Sequence, residues 1–167
     1  SYFFDFQGPS MPVDTACSSS LPAIHLACES LKRRECQVAI AGGVNLYLHP
    51  AKYQSLCRKQ MLSTDDSCHS YGAGGDGFIP GEGVSSVVLK PLALAIEDGD
   101  PIYGVIAASA NEHSGRSNGY TSPNPYSQAI TIEQLLREAN VDPDTIGYVE
   151  GHGTGTALGD NLEVVAL

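Results

Sequence analysis

The sequence has no tryptophan and little positive charge. Its 167 residues carry nine Lys and Arg against nineteen Asp and Glu, a formal charge of −10. Nucleic-acid binding through phosphates needs clustered Lys and Arg. The one cluster, Lys32-Arg33-Arg34, ends a predicted helix, where basic side chains complement the dipole and face solvent. No nucleic-acid partner is expected. No apolar run reaches membrane-spanning length and no secretory signal stands out, so no membrane role is expected either. The five cysteines, at 17, 28, 36, 57 and 68, include no CxxC pair. They make neither a disulfide framework nor a zinc finger, and they point to a reducing, cytoplasmic compartment. HExxH, P-loop and EF-hand patterns are absent, so no metal site is expected. The chain opens on Ser1-Tyr2-Phe3-Phe4 rather than Met and stops at Leu167 inside a predicted helix. Both ends read as cut.

What is present describes a globular chain. Hydrophobic residues make up 42% and charged residues 17%, enough apolar surface to build a core. The 18 glycines follow no period, which argues against low complexity. Residues 18–34 read as a helix, with Leu21, Ile24, His25, Cys28 and Leu31 on one stripe and Pro22 in the tolerated first turn. Residues 37–44 read as a buried strand and 50–61 as a second helix. A polar, glycine-rich loop runs from Ser63 to Gly83. Residues 84–90 and 102–110 read as strands. Residues 125–140 read as a helix capped by Asn124 and ended near Asn140. Residues 146–150 read as a short strand, and a last helix starts near Asp160. Strands alternating with helices indicate an α/β layered domain. With no linker and no repeat, one domain over 1–167 is the simplest division.

Two segments concentrate chemistry. In Val13-Asp14-Thr15-Ala16-Cys17-Ser18-Ser19-Ser20, small residues surround a cysteine where extended chain turns into helix. The unpaired N–H groups and dipole of a helix start favour an anion, the usual setting of a reactive thiolate. Free cysteines are among the most buried residue types. Cys28, on the apolar stripe, fits that pattern, and Cys36, Cys57 and Cys68 have no setting that contradicts it. Cys17 is the nucleophile candidate.

The second segment is Glu150-Gly151-His152-Gly153-Thr154-Gly155-Thr156. Glycines let backbone approach a ligand. Threonine hydroxyls can bond a polar substrate arm. A histidine can donate to a developing oxyanion or move a proton near neutral pH. His25 belongs to the helix stripe, His49 to a helix start and His69 to a polar loop. His113 follows the segment 102–110 without further context. Gly72-Ala73-Gly74-Gly75-Asp76-Gly77 spells GxGxxG. It lacks the strand before and the helix after that dinucleotide binding needs, so the match is coincidental. Asp65-Asp66 reads as a turn or a cap.

Together these segments identify a family. VDTACSSSL around Cys17 resembles the nucleophile motif of β-ketoacyl synthases, and EGHGTGT around His152 resembles that family's first histidine motif. AGGVN (41–45), DGFIPGEG (76–83), VVLKPL (87–92) and GRSNGYTSPNP (115–125) stand between them, and LGD (158–160) follows. The order is the family's, the resemblance covers essentially the whole chain, and the wording is closest to modular polyketide synthases. GYTSPNP and DGFIPGEG lean towards those served by a separate acyltransferase.

The resemblance implies a thiolase-like fold, a layered α/β/α/β/α arrangement of two related halves. The chain would hold the end of the N-terminal half and the start of the C-terminal half. It further implies a homodimer, an acyl carrier protein as partner, and acyl and malonyl thioesters as substrates. No cofactor of the chain's own is implied, because the carrier holds the phosphopantetheine arm. Cys17 would take the acyl group and His152 would serve malonyl decarboxylation. Thr154 and Thr156 would contact the arm. The family's second histidine, its lysine and a glycine-rich oxyanion segment fall beyond Leu167, so the chain alone is expected to be inactive. Asn161 replaces the usual proline after LGD, and Pro80 replaces a frequent arginine.

The alternatives within the family are a non-elongating synthase that only passes acyl chains and a fatty-acid-type synthase. A non-catalytic partner subunit would lack the cysteine. A papain-like hydrolase would leave the order of motifs unexplained.

Overall fold

The computed structural model describes residues 1–117, 119 and 122–167. Asn118, Tyr120 and Thr121, which belong to the GRSNGYTSPNP motif, lie outside the described residues. The chain divides into two interleaved units. The first comprises Ser1–Asn45 and Gly83–Asn111, the second Leu46–Glu82 and Glu112–Leu167.

The first unit is built on helix α1 (Ser20–Lys32), strand β1 (Ala39–Asn45), strand β2 (Gly83–Leu89) and a short helix α3 (Leu92–Glu97). Two turns of 3-10 helix, Tyr2–Phe4 and Ala16–Ser18, precede α1. β1 and β2 pair antiparallel, with Ala39 opposite Leu89 and Asn45 opposite Gly83. The start of α1 docks on β1 at Gly43, where an added Cβ would stand 3.1 Å from the Cβ of Ser20. A side chain at 43 would lift the helix start, and with it the Cys17 turn, off the strand. This gives AGGVN a packing reason that the sequence alone does not display. Two of the three residues of the basic cluster at the end of α1 make local ion pairs. Lys32 meets Glu29 at 2.9 Å, and Arg33 lies 3.8 Å from Glu29 and 3.9 Å from Glu35. Lys90, after β2, bonds Asp100 at 2.6 Å and also Asp98, which closes the turn around α3. The bonds to Asp100 and then Asp98 hold its ammonium above its ordinary range.

The second unit contains α2 (Ala51–Arg58), α4 (Pro125–Ala139) and α5 (Ala157–Ala166), with a 3-10 turn at Pro143–Thr145. α4 begins as expected, with the Asn124 side chain accepting from Ser127 N–H at 3.3 Å and Pro125 in the first position. It ends at Asn140, whose φ of 52° is the left-handed cap conformation. His49 Nδ1 accepts from Ala51 N–H at 3.1 Å at the start of α2, as its placement suggested.

Two expectations fail. Residues 102–110 and 146–150 form no strand among the described residues. Their apolar, β-branched composition suits a sheet interior, but a strand exists only through a ladder, and neither segment finds a backbone partner to pair with. The helix α3, which sequence periodicity did not reveal, is only six residues long.

The core is thin. Among the described residues the buried apolar side chains are Pro22, Ala41, Ala95 and Ala166, while Val44, Leu48, Val84, Val88, Ile96 and Val165 are exposed. The accessible surface is 12764 Å² for 17.6 kDa. Two separately folded units sharing that mass would expose about 9,500 Å². The face of the β1–β2 ribbon that carries Ile40, Val44, Val84 and Val88 is exposed, as are Leu158, Val164 and Val165 of α5.

Candidate active site

Cys17 lies in the middle of the Ala16–Ser18 turn that leads into α1, with an exposed thiol. The turn is held by its own small side chains. Thr15 N–H donates to Ser19 Oγ at 2.9 Å and Ala16 N–H to Asp14 Oδ1 at 3.1 Å. Ser18 Oγ donates to the Thr15 carbonyl at 2.9 Å, and Ser19 Oγ to the Ala16 carbonyl at 2.6 Å. Serine and threonine hydroxyls favour such local bonding at helix starts. The run DTACSSS is thus a self-bracing turn. Ala16 adopts φ 55°, a left-handed conformation that costs an L-residue about 1–2 kcal/mol. Strain of this kind persists where the surroundings over-determine it. Cys17 is exposed, and its N–H has no hydrogen-bond partner among the described residues. Further along α1, His25 Nδ1 meets Ser109 Oγ at 2.9 Å in a half-buried contact. That agrees with a structural histidine.

His152 belongs to the second unit, where it shares one loop with Thr154 and Thr156. Its ring is exposed while its backbone is fixed. Helix α5 supplies two carboxylates for that purpose. Glu163 Oε1 accepts from His152 N–H at 2.5 Å, and Glu163 Oε2 accepts from Gly153 N–H at 2.9 Å. Asp160, only 8% exposed, accepts from Gly155 N–H at 3.1 Å and from Tyr71 N–H at 2.7 Å. Burial pushes the Glu163 carboxyl up, but the bonds from Gly153, His152 and Tyr71 outweigh it and hold it below its ordinary range.

Thr156 is first of all the cap of α5, its Oγ1 accepting from Gly159 N–H at 3.1 Å. Thr154 Oγ1 lies 2.9 Å from Thr156 Oγ1. The two hydroxyls therefore form one half-buried polar pair at the base of the helix.

The glycine-rich loop 69–77 packs against this histidine loop. Gly77 N–H donates to the Gly155 carbonyl at 3.1 Å, and Asp76 forms an antiparallel bridge with Thr156. The Asp76 carboxylate is anchored on Thr64, whose hydroxyl and backbone N–H both donate to it and hold it below its ordinary range. Neither a strand before nor a helix after the GxGxxG letters is present. Their glycines allow loop-on-loop contact. Asp65 serves a turn, accepting from Ser67 N–H at 3.0 Å and pairing with His69 at 2.9 Å.

The comparisons decide the kinship. The profile described as Beta-ketoacyl synthase, N-terminal domain, matches residues 1–95, and that described as Beta-ketoacyl synthase, C-terminal domain, matches residues 103–167. The chain belongs to the β-ketoacyl synthase family. Cys17 falls in the N-terminal part of this ketosynthase and His152 in the C-terminal part.

The chain is 56% identical over its whole length to Polyketide synthase PksL of Bacillus subtilis (strain 168). It is 58% identical to Polyketide synthase ThaG of Burkholderia thailandensis. It spans only 4% and 3% of those proteins. Among solved structures, the oxazolomycin ketosynthase domain OzmH KS7 of Streptomyces albus JA3453 matches with a TM-score of 0.97 and 48% identity. That match covers 99% of this chain and 29% of the other. The ketosynthase from module 6 of the bacillaene synthase of Bacillus subtilis 168 matches with a TM-score of 0.97 and 45% identity, over 99% and 30%. The chain is thus part of a thiolase-like ketosynthase fold of the modular polyketide synthase kind.

Sequence reasoning missed Glu163, Asp160 as a loop anchor, and Tyr71. A faint signal existed for the first two. Asp160 and Glu163 sit three apart at the head of a helix that follows a histidine loop, so both can face back onto it. Nothing pointed to Tyr71, which reaches Glu163 across 92 positions.

Proposed function

We propose that this segment carries the nucleophile and the first catalytic histidine of a decarboxylative condensation in polyketide assembly. The observation that carries the reading is the Cys17 turn. It combines an exposed cysteine, a backbone N–H with no hydrogen-bond partner among the described residues and a left-handed Ala16 in front of them. In the first half-reaction the Cys17 thiolate attacks the carbonyl carbon of a carrier-bound acyl thioester. The tetrahedral oxyanion takes the Cys17 N–H as a donor, and the carrier thiol leaves. Covalent catalysis of this kind divides one difficult step into two easier ones.

In the second half-reaction a carrier-bound malonyl thioester loses carbon dioxide. The electron pair of the broken bond moves into an enolate, whose oxygen His152 stabilises by hydrogen bonding. The enolate carbon attacks the acyl-Cys17 carbonyl, a C–C bond forms, and the Cys17 thiolate is expelled. Thr154 and Thr156 contact the phosphopantetheine arm of the malonyl carrier. Thr156 Oγ1 accepts from Gly159 N–H as the cap of α5, which leaves the hydroxyl protons of both threonines to be shared within the pair or offered to the arm. The partner is an acyl carrier protein, the complete domain is a homodimer, and the chain needs no cofactor of its own.

The experiment uses the complete ketosynthase domain carrying this segment, with His152→Ala. Acyl-enzyme formation and product formation are measured on the same carrier substrates. Loading of Cys17 is expected to stay within about threefold while condensation falls about 10²–10³-fold, the usual cost of losing one oxyanion donor. Equal loss in both steps, or no loss in either, contradicts the role given to His152. Loading without any condensation in the unsubstituted domain identifies a synthase that only passes acyl chains along.

A further inference from the structure

Tyr71 touches the histidine loop in three ways that the proposed chemistry leaves unexplained. Its backbone N–H donates to Asp160. Its side chain lies over the loop backbone. A Cβ at Gly151 would fall 1.9 Å from the Tyr71 hydroxyl oxygen, and one at Gly153 would stand 3.1 Å from its Cε2. Its phenol O–H donates to Glu163 Oε2 at 2.7 Å. That is the oxygen that also accepts from Gly153 N–H, on the carboxylate that accepts from His152 N–H.

A carboxylate facing two neighbouring N–H groups can still rock about its terminal torsion, which is broad. A third donor, arriving from a different loop, removes that freedom. Tyr71 itself holds φ 57°, an outlier conformation for a bulky residue, of the sort kept where the surroundings demand it.

We propose that Tyr71 is a positioning residue for the malonyl step, its phenol O–H locking the Glu163 carboxylate and so the backbone from which His152 projects. The proposal rests on the reading of His152 given above. The bond to Glu163, then burial, raises the phenol to about 12, so it remains a donor throughout the working pH range. A phenylalanine would fill the same space and make every apolar contact, but it would leave Glu163 with backbone donors only.

The test uses the complete ketosynthase domain with Tyr71→Phe, Glu163→Ala, the double variant and His152→Ala. Decarboxylation of the malonyl carrier substrate (kcat and KM) is measured beside acyl loading of Cys17. Tyr71→Phe is expected to lower the decarboxylation kcat about tenfold, the size of one hydrogen bond to a charged group. KM and loading stay within about twofold. Because Tyr71 acts through the Glu163 carboxylate, which Glu163→Ala removes, adding Tyr71→Phe to Glu163→Ala costs nothing further. A wild-type kcat in Tyr71→Phe overturns the proposal. So does a loss of loading in step with decarboxylation, or a double variant whose losses multiply. If His152→Ala leaves decarboxylation intact, the reading of His152 is wrong and the proposal falls with it. If His152→Ala abolishes decarboxylation while Tyr71→Phe does not impair it, the proposal alone is wrong.

Discussion

Ala16 holds a backbone conformation that its own Cβ resists, one residue before Cys17. Replacing it by glycine removes that resistance, while valine turns a tolerable outlier into a severe one. In the complete domain, Ala16→Gly is expected to load acyl groups at close to the parent rate. Ala16→Val is expected to lose about 1–3 kcal/mol of local stability and to load at least tenfold more slowly. Thioester consumption by the two variants, beside their thermal melts, checks this. Valine loading as well as glycine would show that the turn is not strained. Glu163 gives a pH expectation at the same scale. Its carboxyl is held below its ordinary 4.5 by the His152 and Gly153 amides and by Tyr71. A group with a depressed folded value contributes stability above its unfolded value and loses it as pH falls through the folded one. Amide exchange at His152 and Gly153 is therefore expected to stay protected at pH 5–7 and to open only below about pH 4.5. Protection lost between pH 7 and 5 would contradict the bidentate grip.

The elements show which signals a sequence carries. α1 and α4 were legible because their apolar stripes and caps are local. Asn124, Asn140 and Pro125 each act within four residues of their own position. The Cys17 turn and the His152 loop stand out in the sequence because glycine, serine and threonine cluster around a single Cys or His. Residues 102–110 and 146–150 carry the composition of strands, but the pairing that makes a strand is non-local, and their partners are not among the described residues. Glu163 and Tyr71 were invisible for the same reason. Their meaning lies in a contact between loops far apart in sequence. Thr156 illustrates a residue with two duties, as the cap of α5 and as half of the hydroxyl pair with Thr154. Thr156→Ala is expected to cost about 1 kcal/mol of stability through the cap and also to raise KM for the malonyl carrier. Thr156→Asp restores a cap without restoring a hydroxyl. It is expected to recover the melting temperature but not KM. Recovery of both by the aspartate variant would reduce Thr156 to a cap.

At the scale of the whole chain, exposed apolar surface dominates. Among the described residues the only buried apolar side chains are Pro22, Ala41, Ala95 and Ala166, and exposed Ile40, Val44, Val84 and Val88 line one face of the β1–β2 ribbon. Uncovered sheet and helix faces of this size favour association. Residues 1–167 expressed alone are therefore expected to aggregate or to melt without a cooperative transition, and to give no condensation product. The complete domain is expected to be folded and active. A sharp calorimetric transition for the 167-residue chain would contradict this. The most direct measurement of the reading as a whole is the site of acylation. The complete domain is incubated with a carrier-bound acyl thioester, quenched, digested and mapped by peptide mass spectrometry. The acyl group is expected on the peptide containing Cys17, absent from Cys28, Cys36, Cys57 and Cys68, and lost entirely in Cys17→Ala. An acyl group on another residue of the parent domain, or undiminished condensation by Cys17→Ala, would contradict the assignment of the nucleophile and the mechanism built on it.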